Sequence, residues 1–221
     1  MGKVYVVGVG PGSPDYVTER AKQVIASSDI VVGYKHSLDT IRNMLNGKDV
    51  RQITLKTQEQ VYNEVAKNLS NKTCSITFTG DPNFSESEIV DRLIEIFGDV
   101  EIVPGISSIQ VAASKSRVPI DKSALITFHI TGSIEREKET LLKAVKEGRN
   151  VIMLPRPWDF MPVHIAEFLK ENGIDPRKLN VDIYEFLTLS NEKVTKGGLS
   201  EVANREYSDL SVMVIHSGSH T

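Results

Sequence analysis

A glycine- and proline-rich turn near the N-terminus constrains the fold more than any other part of this sequence. The turn, Gly8-Val9-Gly10-Pro11-Gly12-Ser13-Pro14, follows an apolar run at residues 4–7 and precedes a predicted helix over 18–28. Glycine adopts positive φ easily and exposes its backbone, so a ligand can lie directly on such a turn. A strand that leads into a glycine-rich turn is typical of small-molecule sites in α/β proteins. The alternative is a tight turn that only joins a strand to a helix.

The standard nucleotide-binding motifs do not fit this turn. A dinucleotide fingerprint requires G-x-G-x-x-G, but here the third glycine, Gly12, comes one residue early, and Pro11 and Pro14 remove N–H donors. The next predicted strand leads into Gly33-Tyr34-Lys35, so no carboxylate follows it to bind a ribose. The sequence also lacks the Gly-Lys-Ser/Thr of a P-loop.

Composition narrows the classes of protein and of partner. The chain has 221 residues, of which 40% are hydrophobic and 25% charged, a composition typical of a globular protein. Its formal net charge of −3 argues against nucleic-acid binding. One cysteine, Cys74, excludes an internal disulfide or a cysteine-based zinc site. No apolar run approaches about 18 residues and no signal peptide is recognised, so we expect a cytoplasmic protein without a membrane partner.

The first half of the chain alternates predicted strands and helices. Capping boxes that begin at Thr57, Ser85 and Ser107 predict three helix starts. Five βα units of this kind predict a five-stranded, mainly parallel, doubly wound sheet. The predicted strands cover residues 3–8, 30–33, 49–55, 74–78 and 99–103.

The pattern changes near residue 118, where we place a domain boundary. Residues 1–118 would form an N-terminal α/β domain and residues 119–216 a second one, followed by a tail at 217–221. Only one short predicted helix, 199–205, lies among the last three strands, so neighbouring strands can pair antiparallel and a mixed sheet is expected. The predicted strands of this half cover residues 125–130, 151–154, 179–187, 192–197 and 210–215.

Three glycine- and proline-bearing loops follow predicted strands of the first sheet. They are the turn at 8–14, Thr79-Gly80-Asp81-Pro82-Asn83-Phe84, and Pro104-Gly105-Ile106-Ser107-Ser108. Parallel strands end at one edge of a sheet, and ligands of open α/β sheets bind at that edge. We therefore expect the three loops to converge on one site.

These loops, in this order and spacing, resemble the tetrapyrrole (corrin/porphyrin) methylase family. The resemblance covers nearly the whole chain and implies two α/β domains of the tetrapyrrole methylase type. The segments 32–36, 187–194 and 209–212 are further similar to members that methylate a corrin-ring precursor at C5. A departure lies after the second loop, where family members often have an aromatic and a small residue and this chain has Ser85 and Glu86.

The resemblance implies an S-adenosyl-L-methionine-dependent C-methyltransferase with a tetrapyrrole substrate, as a homodimer, together with a separate C15-methylating decarboxylase. No metal is implied, and the sequence names no catalytic base. The residues carried over to the cofactor are Pro11, Gly80, Asp81, Phe84, Ser107, Ser108 and Leu154. The residues assigned to the carboxylate-rich substrate are Gly10, Gly12, Lys35, His36 and Arg156.

Structural alternatives remain open for many of these residues. Asp81 can instead form an Asx-turn, Ser107 can be a helix N-cap, and Leu154 can be a core leucine. The three basic residues can be solvated surface charges. We expect four other residues to be structural: His129, His164, Trp158 and the buried Cys74.

Rival functions also remain open. Within the family they are a diphthine synthase and a uroporphyrinogen-III methyltransferase, which would use the same cofactor loops. Outside it, the three loops would belong to a non-catalytic module that binds a nucleotide or another anion.

Overall fold

A computed structural model describes residues 2–216, which contain two five-stranded sheets; the expected tail at 217–221 lies outside the described residues. The first sheet is formed by β1 (Lys3–Gly8), β2 (Ile30–Tyr34), β3 (Asp49–Ile53), β4 (Thr73–Phe78) and β5 (Glu101–Val103). The second is formed by β6 (Ser123–Thr127), β7 (Asn150–Leu154), β8 (Asn180–Glu185), β9 (Lys193–Gly198) and β10 (Ser211–His216).

The first sheet is entirely parallel, in the order β3-β2-β4-β1-β5. Its central strands are apolar on both faces, as a sheet covered on both sides requires. In β1, Val4 and Val6 belong to one core cluster, and Tyr5 and Val7 belong to the cluster on the opposite face. The predicted doubly wound α/β sheet is confirmed.

The second sheet is mixed, in the order β6-β7-β10-β8-β9. Strands β6 and β7 are parallel, whereas β10 pairs antiparallel with β7 and β8, and β8 pairs antiparallel with β9. Short connections among the last strands allow this arrangement, because antiparallel neighbours need no helical crossover. The predicted mixed sheet is confirmed.

Eight α-helices lie in the described part of the chain. They are α1 (Glu19–Ser27), α2 (Lys35–Thr40), α3 (Gln58–Asn68), α4 (Ser87–Phe97), α5 (Ser108–Ser116), α6 (Glu135–Lys146), α7 (Pro162–Glu171) and α8 (Leu199–Val202). None of these helices, within residues 2–216, is both long and apolar enough to cross a bilayer.

Two of the predicted capping boxes differ from the structure. Helix α3 begins after Thr57 as predicted, but the Thr57 hydroxyl accepts from the backbone N–H of Thr54 at 3.0 Å and caps no helical N–H. Helix α4 begins after Glu86 rather than after Ser85, because Ser85 takes a left-handed conformation with φ of 84°. Helix α5 begins at Ser108, directly after the predicted cap Ser107.

The chain divides into two compact units, residues 1–107 and 108–221. The division lies earlier than residue 118, because α5 packs against β7 and β10 of the second sheet. The first unit contains the parallel sheet with α1 to α4, and the second contains the mixed sheet with α5 to α8.

Candidate ligand site at the parallel sheet

The loops after β1, β4 and β5 meet at the carboxyl edge of the first sheet. Strand β1 lies between β4 and β5, and all three are parallel. Beyond the strands, the Gly80 N–H donates to the Gly10 carbonyl at 2.7 Å, and the Gly10 N–H donates back to the Gly80 carbonyl at 3.3 Å. The expected convergence of the three loops is therefore found in the first unit.

A glycine from each loop makes this convergence possible, and we call Gly8, Gly80 and Gly105 the three-glycine junction. A Cβ atom on Gly8 would lie 2.6 Å from both the Gly80 carbonyl oxygen and the Gly105 nitrogen. A Cβ atom on Gly105 would likewise overlap the Gly80 carbonyl and the Gly8 backbone. Gly80 itself has φ of 76°, a conformation that favours glycine. The backbone, rather than side chains, therefore forms this part of the surface.

The first loop continues from the junction into a partly exposed turn. Gly10 is buried with φ of 82°, whereas Pro11 and Gly12 are half-buried. The Gly12 carbonyl accepts from the Thr40 hydroxyl at 3.0 Å, which ties the turn to the end of α2. The structure thus holds Pro11 and Gly12 in place while leaving part of each accessible to a ligand.

Asp81 forms the Asx-turn that was its structural alternative. Its Oδ1 atom accepts from the Asn83 N–H at 3.0 Å and from the Asn83 side-chain amide at 2.8 Å, and its carbonyl accepts from the Phe84 N–H at 3.0 Å. Among residues 2–216, its Oδ2 atom has no hydrogen-bond partner. The Asx-turn fixes the side chain and leaves one carboxylate oxygen free for a ligand, while Phe84 remains half-buried.

Ser107 and Ser108 follow the third loop. Ser107 is buried, with 7% of its surface exposed, and Ser108 is half-buried as the first residue of α5. A residue at this position lies beside the free N–H groups of the first helical turn, which favour negative charge.

Lys35 and His36 begin α2 directly after β2, at the same sheet edge, and both are exposed. Lys35 forms an exposed ion pair with Asp39 one turn further along the helix. Exposed pairs of this type contribute little, about 0.3–0.5 kcal/mol, so the ammonium group remains available to another carboxylate.

Leu154 and Arg156 lie in the second unit, at the end of β7. Leu154 is half-buried. Arg156 is 9% exposed: its Nε and Nη2 atoms donate to Asp159 at 2.5 and 2.8 Å, and its Nη1 atom donates to the Gly132 carbonyl at 2.9 Å. A guanidinium carries five N–H groups, so these contacts leave it further donors. Arg156 therefore has a structural role here whatever else it binds.

Trp158, one of the residues expected to be structural, lies on the surface of the second unit. Its side chain is 69% exposed and stacks at 5.6 Å from the Arg156 guanidinium carbon. His129 does have a structural contact, because a ring nitrogen lies 2.7 Å from the Pro155 carbonyl, and burial lowers the pKa of its imidazole. The His164 ring accepts from the Met161 N–H at 3.2 Å, at the start of α7.

Cys74 is fully buried, as predicted, and burial raises the pKa of its thiol to about 12. A thiol in this state is a poor nucleophile and a poor metal ligand. Within residues 2–216, no group of three or more His, Cys, Asp or Glu side chains is placed to hold a metal ion.

Sequence reasoning did not identify a polar cluster formed by Tyr34, Gln58, Tyr62 and Glu86, which we call the tyrosine–glutamate cluster. It lies where β2 ends and where the second loop leads into α4. The Tyr34 hydroxyl donates to Gln58 Oε1. Tyr62 is 1% exposed, yet its hydroxyl has no hydrogen-bond partner among the described residues. Burial raises the pKa of the Glu86 carboxyl to about 7 and that of Tyr34 to about 12. The unusual Ser85-Glu86 pair was the available sequence signal.

Sequence reasoning also did not identify a buried pair of hydroxyl side chains that links the start of α2 to β4. The Ser37 hydroxyl lies 3.0 Å from the Thr77 hydroxyl and donates to the Thr77 carbonyl at 3.1 Å, and both residues are buried. A Cβ atom on Gly33 would overlap both hydroxyl oxygens. Gly33 thus makes room for a buried polar contact below the site edge.

The fold and this edge define an α/β protein with a backbone-built ligand site at the end of a parallel sheet. The family model of the tetrapyrrole (corrin/porphyrin) methylases matches residues 3–203. The chain therefore belongs to the tetrapyrrole methylase family.

Individual relatives agree with this assignment. The chain is 35% identical over 220 residues, 96% of each chain, to the probable cobalt-precorrin-7 C(5)-methyltransferase of Methanocaldococcus jannaschii. It is 29% identical to the S-adenosyl-L-methionine-dependent uroporphyrinogen III methyltransferase of Methanosarcina barkeri, over 92% of this chain and 85% of that protein. The crystal structure of the cobalamin biosynthesis precorrin-6Y methylase of Archaeoglobus fulgidus shares the fold, with a TM-score of 0.71 and 24% identity, over 97% of this chain and 98% of that one.

Proposed function

We propose that this chain is an S-adenosyl-L-methionine-dependent C-methyltransferase that methylates a corrin-ring precursor at C5 in cobalamin biosynthesis. The observation that carries the proposal is the convergence of three loops on the three-glycine junction in a member of the tetrapyrrole methylase family. The relative from Methanocaldococcus jannaschii, similar over almost the whole of both chains, supports the choice of substrate.

The residues at the junction fit the cofactor chemically. The free Oδ2 atom of Asp81 suits the ammonium group or a ribose hydroxyl of the cofactor, and the Asx-turn fixes its direction. Glycine backbone at Gly80 and the half-buried Pro11 and Phe84 offer a surface without bulky polar side chains. We also assign cofactor contacts to Ser107 and, in the second unit, to Ser108 and Leu154.

The bound cofactor supplies a methyl group on a sulfonium. The main task of the chain is then to hold the acceptor ring carbon in line with that group, and positioning of this kind supplies roughly 7–11 kcal/mol of barrier reduction. Rigid backbone at Gly10 and Gly80 suits the task, because their hydrogen bonds are fixed before any ligand binds. Preorganised dipoles in a dry site also favour the loss of the sulfonium charge.

We propose that basic residues bind the carboxylate groups at the periphery of the substrate. Lys35 and His36 are exposed and able to reach acetate or propionate groups, and Arg156 retains free N–H donors for a carboxylate. Gly10 and Gly12 would allow the macrocycle to approach the backbone. We further propose a cytoplasmic homodimer whose product passes to a separate C15-methylating decarboxylase.

Calorimetry tests the cofactor assignment. We expect S-adenosylhomocysteine to bind, and ATP and NAD not to bind. Asp81→Asn should weaken that binding about tenfold while preserving the turn, since an asparagine oxygen can still accept from the Asn83 N–H. Asp81→Ala should lose both the carboxylate contact to the cofactor and the Asx-turn. Equal affinities for S-adenosylhomocysteine in Asp81→Asn and wild type would remove Asp81 from the site. Binding of NAD without S-adenosylhomocysteine would instead favour a non-catalytic nucleotide module.

Turnover tests the substrate assignment. Cobalt-precorrin and metal-free precorrin substrates, uroporphyrinogen III and diphthine precursor peptide are each incubated with labelled cofactor, and methylated products are separated by mass spectrometry. We expect methyl transfer only to the corrin-ring precursor. Methylation of uroporphyrinogen III instead would assign the chain to the activity of the Methanosarcina barkeri relative.

A further inference from the structure

Two members of the tyrosine–glutamate cluster lie close to proposed site residues along the chain. Tyr34 is the last residue of β2 and precedes Lys35, the proposed substrate contact. Glu86 lies two residues beyond Phe84, which ends the second cofactor loop. Strands β2 and β4 are neighbours, so the two ends of the cluster belong to one stretch of the sheet edge.

Two groups in this cluster lack the partners that buried polar groups normally have. The Tyr62 hydroxyl is buried in the apolar cluster beneath α3 and α4 and makes no hydrogen bond within the described part of the chain. The half-buried Glu86 carboxyl has neither a cation nor a hydrogen-bond donor among residues 2–216. Most buried polar groups in proteins are hydrogen-bonded, and exceptions often have a catalytic role.

The surroundings of Glu86 are neutral rather than ionic. The titratable side chains that face it are Tyr34 from β2 and Tyr62 from α3, both neutral at physiological pH because burial raises each pKa. Glu59 and Cys74 face Tyr62, and Glu59 is bound to Arg92 of α4. A carboxyl held in such an environment exchanges its proton near neutrality, as a general base requires.

On the basis of the proposed function, we propose that the Glu86 carboxylate accepts the proton that the tetrapyrrole releases when its ring carbon is methylated. In that step the ring carbon forms a bond to the methyl carbon, and the sulfur–methyl bond breaks with its electron pair retained on sulfur. The ring would carry one extra positive charge, and it returns to its original charge when a proton moves to a Glu86 oxygen. Solvent then removes the proton from the half-exposed carboxyl.

The test compares Glu86→Gln with Glu88→Gln, a matched change at an exposed carboxyl in the first turn of α4, two residues further along the chain. We expect Glu86→Gln to lower kcat about 100-fold or more and to bind S-adenosylhomocysteine as wild type does. The wild-type kcat should rise with pH around an inflection near 7, which Glu88→Gln keeps and Glu86→Gln loses. Glu86→Asp should restore part of the rate and the inflection.

A difference infrared titration gives a readout independent of turnover. A protonated-carboxyl band that disappears near pH 7 should be present in wild type and Glu88→Gln and absent in Glu86→Gln. Equal kcat and equal pH profiles in wild type and Glu86→Gln would overturn this inference alone. A wild-type protein that binds S-adenosylhomocysteine but methylates no tetrapyrrole would overturn the proposed function, and this inference with it.

Discussion

The loops at the carboxyl ends of β1, β4 and β5 in the first sheet and of β6 and β7 in the second sheet are constructed in opposite ways. At the first sheet, the three-glycine junction brings backbone against backbone. Nearby, the Asp81 Oδ2 atom and the Glu86 carboxylate have no partner among residues 2–216. At the second sheet, side chains occupy the edge: Arg156 pairs with Asp159 and Gly132, and His129 contacts the Pro155 carbonyl. Polar groups that already have hydrogen-bond partners stabilise a loop. Polar groups without such partners, when held at a fixed position, are available to bind ligands or protons.

The largest difference in the free energy of unfolding should come from replacing one glycine by alanine in each of these two regions. Gly105→Ala would force a Cβ into the Gly80 carbonyl and should lower the free energy of unfolding by about 3 kcal/mol or more, because backbone cannot move aside as a side chain can. Gly132 has open space around it and φ of 82°, so Gly132→Ala should cost only about 1 kcal/mol. Denaturant unfolding measures both, and equal losses would contradict the backbone-built edge.

The stability contributions of two carboxyls, the half-buried Glu86 and the buried Asp182, should respond to pH with opposite sign. Burial raises the pKa of Glu86 from an ordinary 4.5 to about 7, so its folded state loses stability as pH rises through that range. By pH 8 the loss amounts to at most about 3 kcal/mol, and Glu86→Gln should recover part of it while changing little at pH 4. Thermal unfolding across pH checks this, and a wild-type profile parallel to that of Glu86→Gln would contradict it.

Asp182 of the second unit provides the opposite case. Its burial acts to raise the pKa, but hydrogen bonds from Lys196 at 2.9 Å and Ser116 at 2.8 Å, with the charges of His216 and Lys196, hold the pKa below its ordinary value. Its contribution is present above about pH 4 and is lost as pH falls. Asp182→Asn should therefore cost about 2 kcal/mol at pH 7 and much less at pH 3, measured by the same unfolding series.

The smallest expected effect concerns the two roles of Arg156. Arg156→Lys should lower stability by about 1–2 kcal/mol, because an ammonium cannot make the paired contacts to Asp159, and should raise the KM for the tetrapyrrole. Asp159→Asn should cause a similar loss of stability without raising KM, since the guanidinium remains. Unfolding curves measure the structural role and initial rates measure the substrate-binding role. An unchanged KM in Arg156→Lys would leave Arg156 a purely structural role.

Patterns in the sequence predicted the two sheets and the convergence of the three loops. The glycines of the loops and the alternation of strands and helices were predictable because both depend on residues that are close together in the sequence. The start of α4 was predicted at Ser85, but the left-handed φ of that residue moved it to follow Glu86. The tyrosine–glutamate cluster as a whole was not predictable, since its members come from three distant segments and only tertiary packing removes them from water. The Ser85-Glu86 pair was a signal for Glu86 alone.

The exposure of Trp158 has a practical consequence for every unfolding measurement described above. It is the one tryptophan of the chain, and 69% of its side chain is in contact with solvent. Its emission should be red-shifted and accessible to iodide in the native protein, so it reports the conformation of the 155–161 loop rather than the burial of a core side chain. Circular dichroism at peptide wavelengths is therefore the suitable probe of stability, and the indole serves best as an optical sensor of the second unit.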